Sequence, residues 1–85
     1  MKKIKIEKDI IIREENFGGL LFNRKKRELF ELNKSGFFII NEINKNTPPE
    51  EIILKMVKKY NLPKSKAEKD FNFFIRLLKK ENFLL

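Results

Sequence analysis

A chain of 85 residues with neither cysteine nor histidine has no means of forming disulfides or thiolate metal sites, and it lacks the commonest general base and metal ligand. Its 41% hydrophobic content, nine Phe included, suffices for one packed core, so a single ordered domain over residues 1–85 is expected, and an enzyme or a cofactor is not. Twenty Lys and Arg against twelve Asp and Glu leave a net charge of +8, which suits nucleic acid, an anionic membrane surface or an acidic peptide, although Lys-, Asn- and Ile-rich usage can equally reflect AT-rich coding.

The N-terminal "MKKIKIEKDIIIREE" begins basic, but Lys5, Glu7, Lys8 and Asp9 interrupt its apolar residues. No apolar run approaches the length of a membrane span, and no signal peptide is read, so a cytosolic protein is expected. The same segment is rich in β-branched Ile and partly alternating, which predicts a strand, strongest over residues 10–13. Asn16-Phe17-Gly18-Gly19 supplies turn chemistry. "GLLFN" then reads as a second strand and "ELFELN" as a third, joined by the basic turn Arg24-Lys25-Lys26-Arg27. On the third strand Phe30 and Leu32 share one face and Leu29 and Glu31 the other, as in an antiparallel sheet covered on one side.

Three helices are expected next. Asn33 is placed to cap "KSGFFIINEIN", which carries Phe37, Phe38, Ile39, Ile40 and Ile43. Thr47-Pro48-Pro49-Glu50 reads as a capping box with Pro48 at the first helical position, ahead of Ile52, Ile53, Met56, Val57 and Tyr60 at helical spacing. Ser65-Lys66-Ala67-Glu68 reads as a second capping box, opening a helix that runs to about residue 81. Asn82 is an acceptable left-handed stop, and "FLL" folds back as an apolar tail. Three strands followed by three helices make an α+β fold of winged-helix-turn-helix type.

The last helix carries two apolar stripes. At about 100° per residue, Ala67, Phe71, Phe74 and Leu78 fall within roughly a 60° arc, the expected core stripe. Phe73 and Leu77 form a separate shoulder, rimmed by Lys66, Lys69, Asp70, Arg76 and Lys80. Either they widen the core or pack under the N-terminal strand, or they floor a groove between this helix and the sheet edge. "ELFELN" has no Lys or Pro to blunt its edge, and an edge left open is a template for an added strand.

These residues resemble the PqqD-like proteins, the precursor-peptide recognition elements of ribosomally made, modified peptides. The resemblance spans roughly residues 10–85. It is carried by Gly19-Leu20-Leu21, by Leu32-Asn33 with Gly36 after it, by the Thr-x-x-Glu start of the second helix, and by Asp70, Phe74 and Leu78. The chain departs from the family pattern at Asn82, where Gly is usual, at Lys25-Lys26, where the turn usually has Gly, and at Phe73 and Leu77, which are commonly polar.

The resemblance implies a non-catalytic chaperone that binds a leader peptide as an added strand and presents the precursor to a modifying enzyme, often a radical S-adenosylmethionine (SAM) protein. On this chain Glu28, Leu29, Phe30, Glu31, Leu32 and Asn33 would supply the backbone ladder, and Phe73 and Leu77 would take leader side chains. Lys66, Lys69, Arg76 and Lys80 would attract acidic leader residues. Asn33 and Asp70, though family-like, read better as capping and orienting residues, and residues 24–27 as solvated turn charge. The rival reading is a winged-helix DNA-binding protein with a basic wing. Against it stand only four Arg in the chain and Phe73 and Leu77 where base-reading side chains are wanted. A third reading makes the shoulder a dimer contact.

Overall fold

The computed structural model describes residues 4–85. Strands β1 (Ile10–Glu15), β2 (Gly18–Asn23) and β3 (Glu28–Asn33) precede helices α1 (Lys34–Asn44), α2 (Pro49–Tyr60) and α3 (Lys64–Lys80). The sheet order is β1-β2-β3, antiparallel throughout, with Ile12 opposite Leu21 and Leu21 opposite Phe30 on the covered face. The expected α+β order is therefore the observed one.

Local chemistry explains the sheet's corners. A Cβ on Gly18, at φ +146°, would sit 2.2 Å from the Leu32 carbonyl oxygen, so only glycine fits where β2 meets the end of β3. In the β2–β3 loop the Asn23 carboxamide oxygen accepts from the backbone N–H groups of Lys25 and Lys26, at 3.0 and 3.1 Å. Arg27 then takes φ 57°, so an arginine holds the left-handed position that glycine would occupy more easily. The loop closes without a glycine.

Asn33 ends β3 and caps α1, its side-chain oxygen accepting from the Gly36 N–H at 2.8 Å. The other two expected caps are not formed. Pro48 and Pro63, both extended, stand at the N-cap positions of α2 and α3, and no side chain caps either helix. Thr47 instead donates its hydroxyl to Glu42 at 2.9 Å, and Ser65 lies inside α3. In each case the extended proline sets the boundary, so α2 starts one residue later and α3 two residues earlier than the capping patterns suggest.

The core joins Leu21 and Leu32 of the sheet to Ile39, Ile40 and Ile43 of α1, Ile52 and Met56 of α2, and Phe71 and Leu78 of α3. Asn82 adopts φ 63° after α3, and Phe83 turns back into the core, edge-on to Phe30 with ring centroids 5.4 Å apart. Its carbonyl accepts from the Glu7 N–H, and the Leu85 N–H donates to Lys5, both at 2.9 Å. The N-terminal segment thus pairs with the C-terminal tail; neither is hydrogen-bonded to β3.

Among the described residues one charge is buried. Glu42 accepts from Lys55 at 2.8 Å and from Thr47, with Lys45 at 3.6 Å, tying α1 to α2. The Lys55 hydrogen bond holds its carboxyl below the ordinary value of 4.5, against the opposing effect of burial.

Candidate functional site

β3 is an edge strand, and among the described residues no backbone group hydrogen-bonds to its outer side. Beside that edge lies a groove of about 560 Å³ walled by β3 and α3 and floored by α1 and α2. Phe30 and Leu32 face the groove from the sheet, with Glu31 and Asn33 bordering it along the strand edge, and Asp70, Phe73, Phe74 and Leu77 form the helix wall. The lining is mostly apolar and open to solvent, the form in which a protein binds a chain through its backbone and a few greasy anchors.

Phe73 is 63% exposed although it is a full aromatic ring on a groove wall, and Leu77 beside it is half-buried. Neither widens the core. That part is played by Ile75, which is buried, while Phe74, placed with the core by its angle, is half-buried and faces the groove. Ala67, Phe71 and Leu78 are buried as expected, and exchanging Phe74 for Ile75 turns the buried arc of α3 by only about 30° from the one read off the sequence. Phe74 still packs against the core on one side while its other side lines the groove with Met56 and Tyr60 of α2.

Gly36 makes room for this arrangement. A Cβ there would lie 3.2 Å from the Phe74 ring and 3.1 Å from the capping oxygen of Asn33. A one-residue sequence feature, cap followed by glycine, thus lets an aromatic ring close down on α1.

The remaining positions divide clearly. Glu28 stands at the hairpin end of β3 and Leu29 points to the opposite face of the sheet; neither lines the groove. Lys66, Lys69, Arg76 and Lys80 are exposed on the outer flank of α3, above the wall rather than in it. Lys66 is engaged with Asp70 across one turn, Nζ to carboxylate oxygen 3.1 Å. Asn33 is occupied as a cap, accepting from Ser35 as well as Gly36. Ser35, Gly36, Ile39, Met56, Tyr60, Leu62 and Phe74 also line the groove and were not among the expected residues. Tyr60 closes one end of α2, and burial pushes its hydroxyl pKa up. Only the meeting of three helices brings these side chains together.

An open antiparallel sheet followed by three helices, with a groove beside its last strand, defines a small α+β domain of winged-helix type. The profile of the PqqD family, coenzyme PQQ synthesis protein D, matches residues 18–84, and the chain belongs to that family. The match starts at Gly18, so β1 lies outside it. No protein with a curated description matches the sequence.

Among solved structures the fold recurs in a lasso peptide synthetase B1 complexed with the leader peptide, at TM-score 0.90 and 18% identity over 99% of each chain. It recurs in TbiB1 in complex with the TbiA(beta) leader peptide, at TM-score 0.88 and 22% identity, covering 94% of this chain and 93% of that one. It is also similar to part of Streptococcus suis SuiB bound to S-adenosylmethionine (TM-score 0.53, 21% identity), where 95% of this chain corresponds to 24% of the larger one. At these identities the likeness is one of fold. No helix of the described residues is long and apolar enough to cross a membrane.

Proposed function

We propose that this chain is a non-catalytic, cytosolic peptide chaperone. It takes up the leader of a ribosomally made precursor as a fourth, antiparallel strand on β3 and presents the precursor to a modifying enzyme, such as a radical SAM enzyme. The observation that carries this reading is the unpaired β3 edge beside an apolar groove with Phe73 left exposed on its wall. Membership of the PqqD family and the leader-bound state of the two small structural neighbours support it. The SAM-bound SuiB supports the class of enzyme partner.

The physical gain is a separation of recognition from chemistry. Backbone hydrogen bonds to β3 accept any sequence, and the groove selects among them by its apolar anchors. Phe73, Phe74 and Leu77 take apolar side chains, and the cations above them on α3 favour acidic neighbours. A leader disordered when free loses entropy on docking, so moderate affinity results. Once docked, the tethered substrate reaches an effective concentration of about millimolar at the enzyme.

The test is a titration of the chain with a synthetic leader taken from the short peptide gene nearest its own, read by fluorescence anisotropy. Saturable binding that is lost in Leu77→Asp supports the proposal. Indifference to that leader, with steeply salt-dependent binding of mixed-sequence DNA, would instead favour a DNA-binding protein.

A further inference from the structure

The face of the sheet turned away from the helices is not polar. Ile11, Phe22 and Leu29 stand opposite one another across the three strands, one apolar row, with Ile11 47% and Leu29 61% exposed. The row ends at the open β3 edge, on the unpaired side of Leu29. One pleat further along, Arg13, Leu20 and Glu31 make the next row. Arg13 is engaged with Glu15 at 2.6 Å, whereas Glu31 has no ion-pair partner among the described residues. An added strand would extend both rows, because a residue opposite a given β3 position lies on the same face.

We infer that a strand docked on β3 is read on both faces, taking an apolar side chain opposite Leu29 and a cationic one opposite Glu31. This rests on the strand-docking reading above and sharpens it into a pattern. An antiparallel guest meets Leu32, Glu31, Phe30 and Leu29 in that order. From its N-terminus it therefore reads apolar, basic, apolar, apolar, with the first and third residues entering the groove. The second residue meets the unpaired Glu31 carboxylate, and the fourth continues the row from Leu29. Acidic residues belong outside this short stretch, where the guest passes the lysines of α3. The charge preference of the guest is thus set by position: basic beside the strand, acidic beside the helix.

The probe is a displayed library of random peptides of roughly a dozen residues, about twice a strand's length. It is panned against the full chain and against Glu31→Lys, Leu29→Glu and Leu77→Asp. Glu31 and Leu29 are exposed, so their variants fold, and far-ultraviolet circular dichroism verifies it. The wild-type chain is expected to enrich the four-residue pattern. Glu31→Lys converts its basic position to Asp or Glu, and Leu29→Glu converts its last position to Lys or Arg. A single enriched peptide binds Glu31→Lys about five-fold more weakly, and exchanging its basic residue for glutamate restores the loss.

Groove anchors at alternate positions with no preference between them, unchanged in Glu31→Lys and Leu29→Glu, would overturn the two-face reading and leave strand docking intact. Failure to enrich any peptide, or anchors that survive Leu77→Asp, would overturn both.

Discussion

The sheet has two edges, and the chain treats them differently. The β1 edge reads IIIREE, ending in three charged residues, two of them bridged as Arg13 and Glu15. Charge along an edge discourages a visiting strand. The β3 edge reads ELFELN, with Leu29 and Phe30 between its two glutamates and Leu32 before the closing Asn33, and it has α3 standing beside it to form a second wall. Both edges are unpaired among the described residues, but the cavity at the end of β1 sets Glu14, Glu15, Lys34 and Lys59 among its rings, whereas the groove beside β3 is mostly apolar. An unpaired edge becomes a binding site when the neighbouring element is left unfilled as well.

That contrast can be broken at several points. The largest effect belongs to Leu77→Asp and Phe73→Asp, which put a charge on the groove wall. Each is expected to weaken leader binding by at least about 30-fold, the scale of desolvating a charge against apolar surface. Phe73→Asp should leave thermal stability within about 0.5 kcal/mol, because the ring is already exposed. A large loss of stability would mean that Phe73 belongs to the core after all.

A change remote from both edges should do the reverse. Glu42→Ala removes a buried carboxylate with two hydrogen bonds, and should cost about 2 kcal/mol in chemical denaturation while the Kd of the folded protein is unchanged. The same residue gives a pH signature. Because its folded pKa lies below the ordinary 4.5, its contribution is fully present above that value. It is lost as pH falls through the folded pKa, since the unfolded chain takes up the proton first. Glu42→Gln should flatten the stability profile in that acid window and nowhere else. A leader affinity that tracked Glu42 would couple the α1–α2 corner to the groove, and the distinction between the two regions would fail.

The smallest effect sharpens the account of the α3 rim. Lys80→Ala should weaken binding by about 1 kcal/mol or less, as exposed ion pairs do, and the loss should vanish in high salt. Losses equal to those of Leu77→Asp would make the recognition electrostatic rather than apolar.

Much of this was legible in the sequence, for reasons that can be named. Alternation in "ELFELN" assigned the faces of β3, and the Asn33 cap marked where sheet becomes helix. Helical angle set Phe73 and Leu77 apart from the core stripe, but left open whether they widened the core or floored a groove. What could not be read depended on tertiary neighbours. Phe74 and Ile75 are neighbours in sequence on the two margins of the core stripe, and only the packed fold shows that Ile75 is buried while Phe74 is half-buried. Thr47 has the pattern of a cap, yet Glu42 competes for its hydroxyl from α1, and Pro48 takes the cap position. Met56, Tyr60 and Leu62 carry no mark of a groove in their own segments; they become part of one only when α2 meets α3.

The most direct test is amide hydrogen exchange, measured residue by residue with and without bound leader peptide. Docking on β3 predicts that slowed exchange appears among residues 28–33 and leaves residues 10–15 of the opposite edge as they were. Protection confined to β1, or a bound leader that slows exchange on neither edge, would contradict the account.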